Sequence, residues 1–265
     1  MQHKVIWTEG MFLRPHHFQQ QERYLESLCA QQVQATNVMS VGFTQLELLK
    51  TNTPGEVGLA QASGIWTNGL PFTLTANDVD PLVLPSGEIK QRLCLILPDY
   101  QEGMDDIVFD DEPGTNARYV VEEIELADSS EIALGASTVQ VGKPRFRLCL
   151  EKDVPPTHSK LYVASILEVN SAGLMVQELN YIPQIIQTQA SPVLSAWIQE
   201  IERMLEQRVS DLVARLQQVG RSTAVELTDL LTLQTINHYR GVFTHLVQLG
   251  QLHPERVYRD FVSLA

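Results

Sequence analysis

The helical part of the fold is decided by residues 191–220, which read SPVLSAWIQEIERMLEQRVSDLVARLQQVG. Ser191 and Pro192 indicate a helix start, because a serine side chain can cap free backbone N–H groups and proline suits the first helical position. Apolar residues then recur at intervals of 4, 3, 4, 4, 3, 4 and 3, at Leu194, Ile198, Ile201, Leu205, Val209, Leu212, Leu216 and Val219. This is heptad spacing with one stutter, and Gly220 is expected to end the helix.

The apolar stripe of this helix has two interpretations. It can be covered by other helices of the same chain, or it can form a seam between copies. Regular spacing over several turns favours oligomerisation. Trp197, Met204 and Val213 widen the stripe to the face expected of a bundle. We expect the bundle core or the seam between copies to be lined by Leu194, Trp197, Ile198, Ile201, Leu205, Leu212 and Leu216.

Two more helices are predicted after the first. One covers about 224–250, and another begins after His253-Pro254-Glu255. The pattern of the last helix, with Val257 and Phe261, is still running at the final residue. We therefore expect the sequence to be a piece of a longer protein.

The sequence before this helical region has the character of a β-rich domain. A helix is expected near Pro15, followed between residues 37 and 179 by short apolar runs separated by Gly and Pro. The expected strands are 38–49, 56–66, 70–75, 89–97, 117–126, 132–141, 145–150, 161–169 and 174–179. Runs 148–150 and 161–167 are expected to be central strands. We predict an α+β protein with a β-sandwich domain over 1–188, including the N-terminal helix, and a helical neck domain over 189–265.

Composition and charge exclude several functions. The net charge is −13 with no basic cluster, which disfavours nucleic acid and anionic membranes as partners. No run is long and apolar enough for a membrane span, and the N-terminus lacks a signal-peptide pattern. Cys94 and Cys149 lie in apolar runs, Cys29 stands alone, and no CxxC pair is present, so we expect a cytoplasmic protein without zinc.

Enzymatic chemistry is not expected either. The sequence lacks GxSxG, P-loop, GxGxxG and HExxH motifs. His238, His245 and His253 would lie about 10–12 Å apart along a helix, too far for one metal ion, so neither a metal nor a cofactor is predicted. A ligand- or carbohydrate-binding β-sandwich is the alternative, with Trp66 and Tyr119 as candidate aromatic groups.

The N-terminus carries a dense apolar cluster. Residues 4–21 read KVIWTEGMFLRPHHFQQQ. The candidate partner-binding residues in it are Ile6, Trp7, Met11, Phe12 and Leu13. They can cover an open end of the β domain, or they can dock a partner, as exposed aromatic anchors do.

The same stretch resembles the opening of the TssK family, also called VasE or ImpJ, which are baseplate subunits of bacterial type VI secretion systems. The resemblance lies in the pattern W-x-E-G-M-F-L-x-P-x-H-F-Q, and extends to residues 181–183 and 253–258. It implies a cytoplasmic homotrimer whose β-sandwich is similar to the shoulder of phage receptor-binding proteins. It also implies docking onto a wedge of TssF- and TssG-like subunits and no catalytic residues. Contact with TssL- and TssM-like membrane-complex proteins is expected through a C-terminal head that this sequence lacks. A phage tail adaptor is a related alternative.

Overall fold

A computed structural model describes residues 3–49, 53–111, 114–130, 135–217 and 223–265. The predicted α+β class is confirmed. The helices in the described part are α1 (Pro15–Thr36), α2 (Pro192–Leu216), α3 (Thr223–Leu249) and α4 (Pro254–Leu264). The strands are β1 (Gly42–Leu49), β2 (Glu56–Ile65), β3 (Pro71–Thr75), β4 (Leu82–Val83), β5 (Gly87–Pro98), β6 (Ile107–Val108), β7 (Tyr119–Ala127), β8 (Ala136–Pro144), β9 (Arg147–Leu150), β10 (His158–Val169) and β11 (Met175–Gln177).

The strands of the described residues form three sheets. One has the order β1-β2-β3, with β4 also pairing with β2; the second has the order β11-β10-β5-β9; the third has the order β6-β7-β8. Each of the nine predicted strand runs overlaps one of these strands. The unpredicted strands, β4 and β6, have two residues each, which is too short to produce a readable alternation.

The second sheet contains the most buried strands. β5 and β10 pair antiparallel from Gly87↔Val169 to Pro98↔His158, with two bulges. Leu93, Leu95 and Leu161 are fully buried, which explains why these runs show little polar alternation. The expectation that 161–167 is a central strand is confirmed, because β10 lies between β11 and β5. The same expectation for 148–150 is wrong, because β9 is the last strand in the order of its sheet.

The described residues divide into two compact units. The first comprises 1–46, 62–72 and 179–265, and the second comprises 47–61 and 73–178. The first unit therefore combines segments from both sides of the predicted domain boundary at 188/189, and that boundary stays a prediction. No helix among the described residues is long and apolar enough to cross a bilayer.

The first unit is organised by an aromatic cluster and a close crossing of backbones. The rings of Phe43 and Trp66 both meet the ring of Phe72 edge to face, at centroid distances of 5.8 and 5.9 Å. Gly42 has φ +147°, and a Cβ atom there would lie 2.5 Å from the carbonyl oxygen of Gln184. Glycine is therefore required where β1 passes the segment before α2.

Candidate functional site

The N-terminal cluster forms an exposed apolar surface, here called the N-terminal patch. It consists of Ile6, Trp7, Phe12 and Leu13. Ile6 is 71% exposed and Phe12 is 80% exposed, so most of the surface of these two side chains is accessible to solvent. Met11, the fifth predicted residue, is half-buried.

The patch is held against the start of α1. The ring of Trp7 lies 6.2 Å from the rings of both His17 and Phe18, measured between centroids. Gln20 Nε2 donates a hydrogen bond of 2.7 Å to the carbonyl oxygen of His3, and this contact returns the chain onto the helix. The segment is therefore ordered while its apolar side chains remain accessible, which lowers the entropy cost of binding a partner.

The helix next to the patch is itself unusually exposed. None of the 22 residues of α1 is buried. Phe18, Leu25 and Leu28 are exposed and lie at spacings of 7 and 3, which places them near one face. The apolar surface thus continues from the patch along α1.

The helix start depends on a side chain of the motif. The backbone N–H of Arg14 donates a hydrogen bond of 3.0 Å to His17 Nδ1, which completes a capping arrangement around Pro15. His17 therefore shapes the junction between patch and helix, and His16 lies on a different side.

The predicted bundle residues separate into two groups. Leu194, Ile198, Leu205 and Leu212 are buried within the single chain, where α2 packs against α3. Trp197 is 40% exposed, and Ile201 and Leu216 are half-buried. The heptad pattern therefore contains an intramolecular core and, beside it, an uncovered edge.

The helices α2 and α3 pack against each other as a helical hairpin, and its exposed apolar residues along one side of each helix are here called the hairpin stripe. On α2 it contains Trp197 and Met204, seven residues apart, and on α3 it contains Leu227, Leu230 and Leu231. Val213 is also exposed, but it follows Met204 by nine residues and therefore lies on the opposite side of α2. The hairpin is also fastened by an ion pair in which Arg215 Nη2 donates to Asp229 Oδ1 at 3.0 Å. The carboxyl group of Asp229 is nearly buried, and this contact connects α2 with α3.

The two later motif segments meet at one groove of about 580 Å3. Its walls include residues 182–185, His253 and Tyr258, together with Val38 and Met39. His253 Nδ1 accepts a hydrogen bond from the backbone N–H of Glu255 and caps α4, and its Nε2 lies 2.9 Å from the carbonyl oxygen of Met39. His253 thus joins two distant segments.

Comparison with known proteins identifies the fold's relatives. A protein-family model described as bacterial type VI secretion, EvfL, ImpJ and VasE matches residues 17–265. The chain belongs to this family. It is 32% identical to the type VI secretion system baseplate component TssK1 of Pseudomonas aeruginosa, over 99% of this chain and 60% of TssK1.

Solved structures agree with this VasE-family assignment. A crystal structure of TssK has a TM-score of 0.94 and 36% identity, covering 100% of this chain and 60% of that one. A cryo-electron microscopy structure of the TssK–TssF–TssG baseplate subcomplex has a TM-score of 0.79 and 17% identity, covering 100% of this chain and 86% of that one. At that identity the likeness shows the fold alone.

Other candidate residues of this VasE-family chain lie in structural positions. Trp66 is 1% exposed and belongs to the aromatic cluster with Phe72, so it cannot serve as a sugar-stacking platform. His253 is a helix cap, whereas His245 is exposed. Across the described ranges, no cluster of three or more His, Cys, Asp or Glu side chains is arranged for a metal ion.

Proposed function

We propose that the chain is part of a structural adaptor of a type VI secretion baseplate, and that it docks onto a wedge of TssF- and TssG-like subunits. Support comes from its family and from its relative TssK1, which is named as a baseplate component. A structure of similar fold is a TssK–TssF–TssG subcomplex. The chain spans 60% of the length of TssK1, so the activity of the whole protein is part of this proposal.

The observation that carries the proposal is the exposure of the N-terminal patch. Burying a large apolar side chain contributes about 1.5–3 kcal/mol relative to leaving it in water. Trp7 and Phe12 are the kind of aromatic anchor on which interfaces concentrate their binding energy. An ordered, accessible aromatic surface is expected of a docking protein and is not needed for the fold of this chain.

The proposal is tested by co-purification with TssF- and TssG-like subunits. Phe12→Asp places a charge in the patch, and we expect it to reduce capture at least tenfold. Leu179→Asp is the matched control, because Leu179 is also exposed, lies outside the patch and acquires the same charge. Circular dichroism establishes that both variants are folded. Equal capture by wild type and Phe12→Asp would assign wedge docking to another surface.

The proposal includes assembly into a homotrimer through the hairpin stripe. On α3, Leu230 and Leu231 follow Leu227 by three and four residues, and on α2 Met204 follows Trp197 by seven, so the stripe residues of each helix lie along one side of it. Three copies would also let weak individual contacts with the wedge act together. A head that reaches the membrane complex, and a cytoplasmic location, stay predictions drawn from the resemblance.

A further inference from the structure

Two thiols of the second unit stand opposite each other on neighbouring strands. In the antiparallel pair β5–β9, Cys94 and Cys149 are direct Cα partners. Directly opposed residues of an antiparallel pair direct their side chains to the same face and have Cα atoms about 4.5–5.5 Å apart. Disulfides typically span Cα distances of about 4.4–6.8 Å, so the backbone already has the required spacing.

The two thiols differ in accessibility. Cys94 is fully buried, with Tyr162 of β10 as its partner on the other side. Cys149 is half-buried and belongs to a strand of four residues that ends the sheet order. Short terminal strands open locally more readily than central ones. A small reagent therefore reaches Cys149 first.

We propose that Cys94 and Cys149 form an oxidation site that closes into an intramolecular disulfide, with a low-molecular-weight disulfide such as oxidised glutathione as the oxidant. Cys149 loses its proton and attacks one sulfur of the oxidant, whose S–S bond breaks and releases one glutathione thiolate. Cys94 then loses its proton and attacks the Cys149 sulfur of the mixed disulfide, releasing the second glutathione. Two electrons pass from the protein thiols to the oxidant, and the two protons end on the two glutathione thiols.

The surroundings of the two thiols make disulfide formation slow in the folded state, and its rate rises at alkaline pH. Burial raises the pKa of Cys94 to about 12 and the pKa of Cys149 to about 11. The thiolate is the reacting form, so the initial rate rises about tenfold per pH unit below those values. The product ties the terminal strand β9 to the buried strand β5.

The test uses the full chain in a Cys29→Ser background, which removes the exposed thiol that would link two molecules. After incubation with oxidised glutathione under native conditions, the protein is unfolded and treated with N-ethylmaleimide, and its intact mass is measured by mass spectrometry. The expected product has lost about 2 Da and takes up no maleimide, and dithiothreitol restores two reactive thiols. Circular dichroism of the oxidised protein is expected to match that of the reduced protein.

Two control proteins keep the proposal falsifiable. Cys149→Ser and Cys149→Ala each leave one buried thiol, and neither is expected to show the mass loss of about 2 Da that accompanies disulfide formation. The Cys29→Ser protein in urea provides an unfolded dithiol that the same buffer oxidises. Two thiols surviving in the native protein while the urea sample is oxidised would overturn the proposal, as would a disulfide that forms only together with loss of the native spectrum.

Discussion

The hairpin stripe offers a quantitative prediction about assembly. Met204 is 58% exposed, so roughly half of its side chain is available for burial by another copy. Full burial of methionine contributes about 1.5–3 kcal/mol, which leaves about 1–1.5 kcal/mol per copy at the seam. In a trimer the loss from Met204→Ala is then about 4 kcal/mol, which lowers the association constant on the order of a thousandfold.

Leu212→Ala is the matched control on the same helix. Leu212 is 1% exposed and packs inside the single chain. Truncating a buried leucine costs about 2–5 kcal/mol of folding free energy. We expect this variant to unfold at a lower urea concentration and to associate like wild type while it remains folded. Met204→Ala should show the reverse: weakened association with little change in the stability of the separated chain.

The assay is sedimentation equilibrium over a wide range of protein concentrations, combined with urea unfolding followed by helical circular dichroism. Wild type is expected to reach three times the chain mass at concentrations where Met204→Ala is still dissociated. A wild-type chain that stays monomeric throughout would refute trimer formation by this chain. Unchanged association of Met204→Ala would show that the hairpin stripe is not the seam.

Three further predictions concern stability. Gly42→Ala should cost at least about 2 kcal/mol, because the φ of +147° and the Gln184 carbonyl oxygen exclude a Cβ atom; an unchanged urea midpoint would contradict this. Hydrogen bonds, first of all from Arg92, lower the pKa of Glu151 from 4.5 to about 2. The carboxylate therefore stabilises the fold above pH 4.5 and loses this effect as the pH falls towards 2. The difference in free energy of unfolding between wild type and Glu151→Gln should decrease over that range, and a constant difference would contradict this. His253→Ala should cost about 1–2 kcal/mol through loss of the α4 cap and the Met39 contact, whereas the other His→Ala changes on exposed helix surface should be nearly neutral by the same urea assay.

Much of the secondary structure could be predicted because local chemistry determines it. Ser191 and Pro192 mark the start of α2, and the structure begins that helix at Pro192, with the serine side chain accepting from the Leu194 N–H. The predicted end at Gly220, like the predicted position of Val219, lies outside the described residues. Capping and periodicity involve neighbours in the sequence, which makes them readable without the fold.

The division of the heptad pattern could not be read in the same way. Leu205 and Met204 are adjacent and both apolar, yet one is buried in the chain and the other is exposed. Apolar spacing shows which residues avoid water but not whether the covering helix belongs to the same chain. The central position predicted for 148–150 is wrong for a related reason: Leu148 and Leu150 are buried, and a run of buried residues indicates a central strand even where, as in β9, the strand is the last in its sheet order.

The joint at His253 has a consequence for how the protein is made. Its partner carbonyl, on Met39, lies 214 positions earlier in the chain. At a synthesis rate of roughly 5–20 residues per second, the ribosome needs on the order of 10–40 s after Met39 to reach His253. During that interval the N-terminal helix and its exposed aromatic residues have emerged without the segments that complete their unit, whereas residues 73–178 can already pair with one another. Within residues 1–265, the N-terminal patch and α1 are therefore exposed to aggregation, and to capture by chaperones, for longest during synthesis.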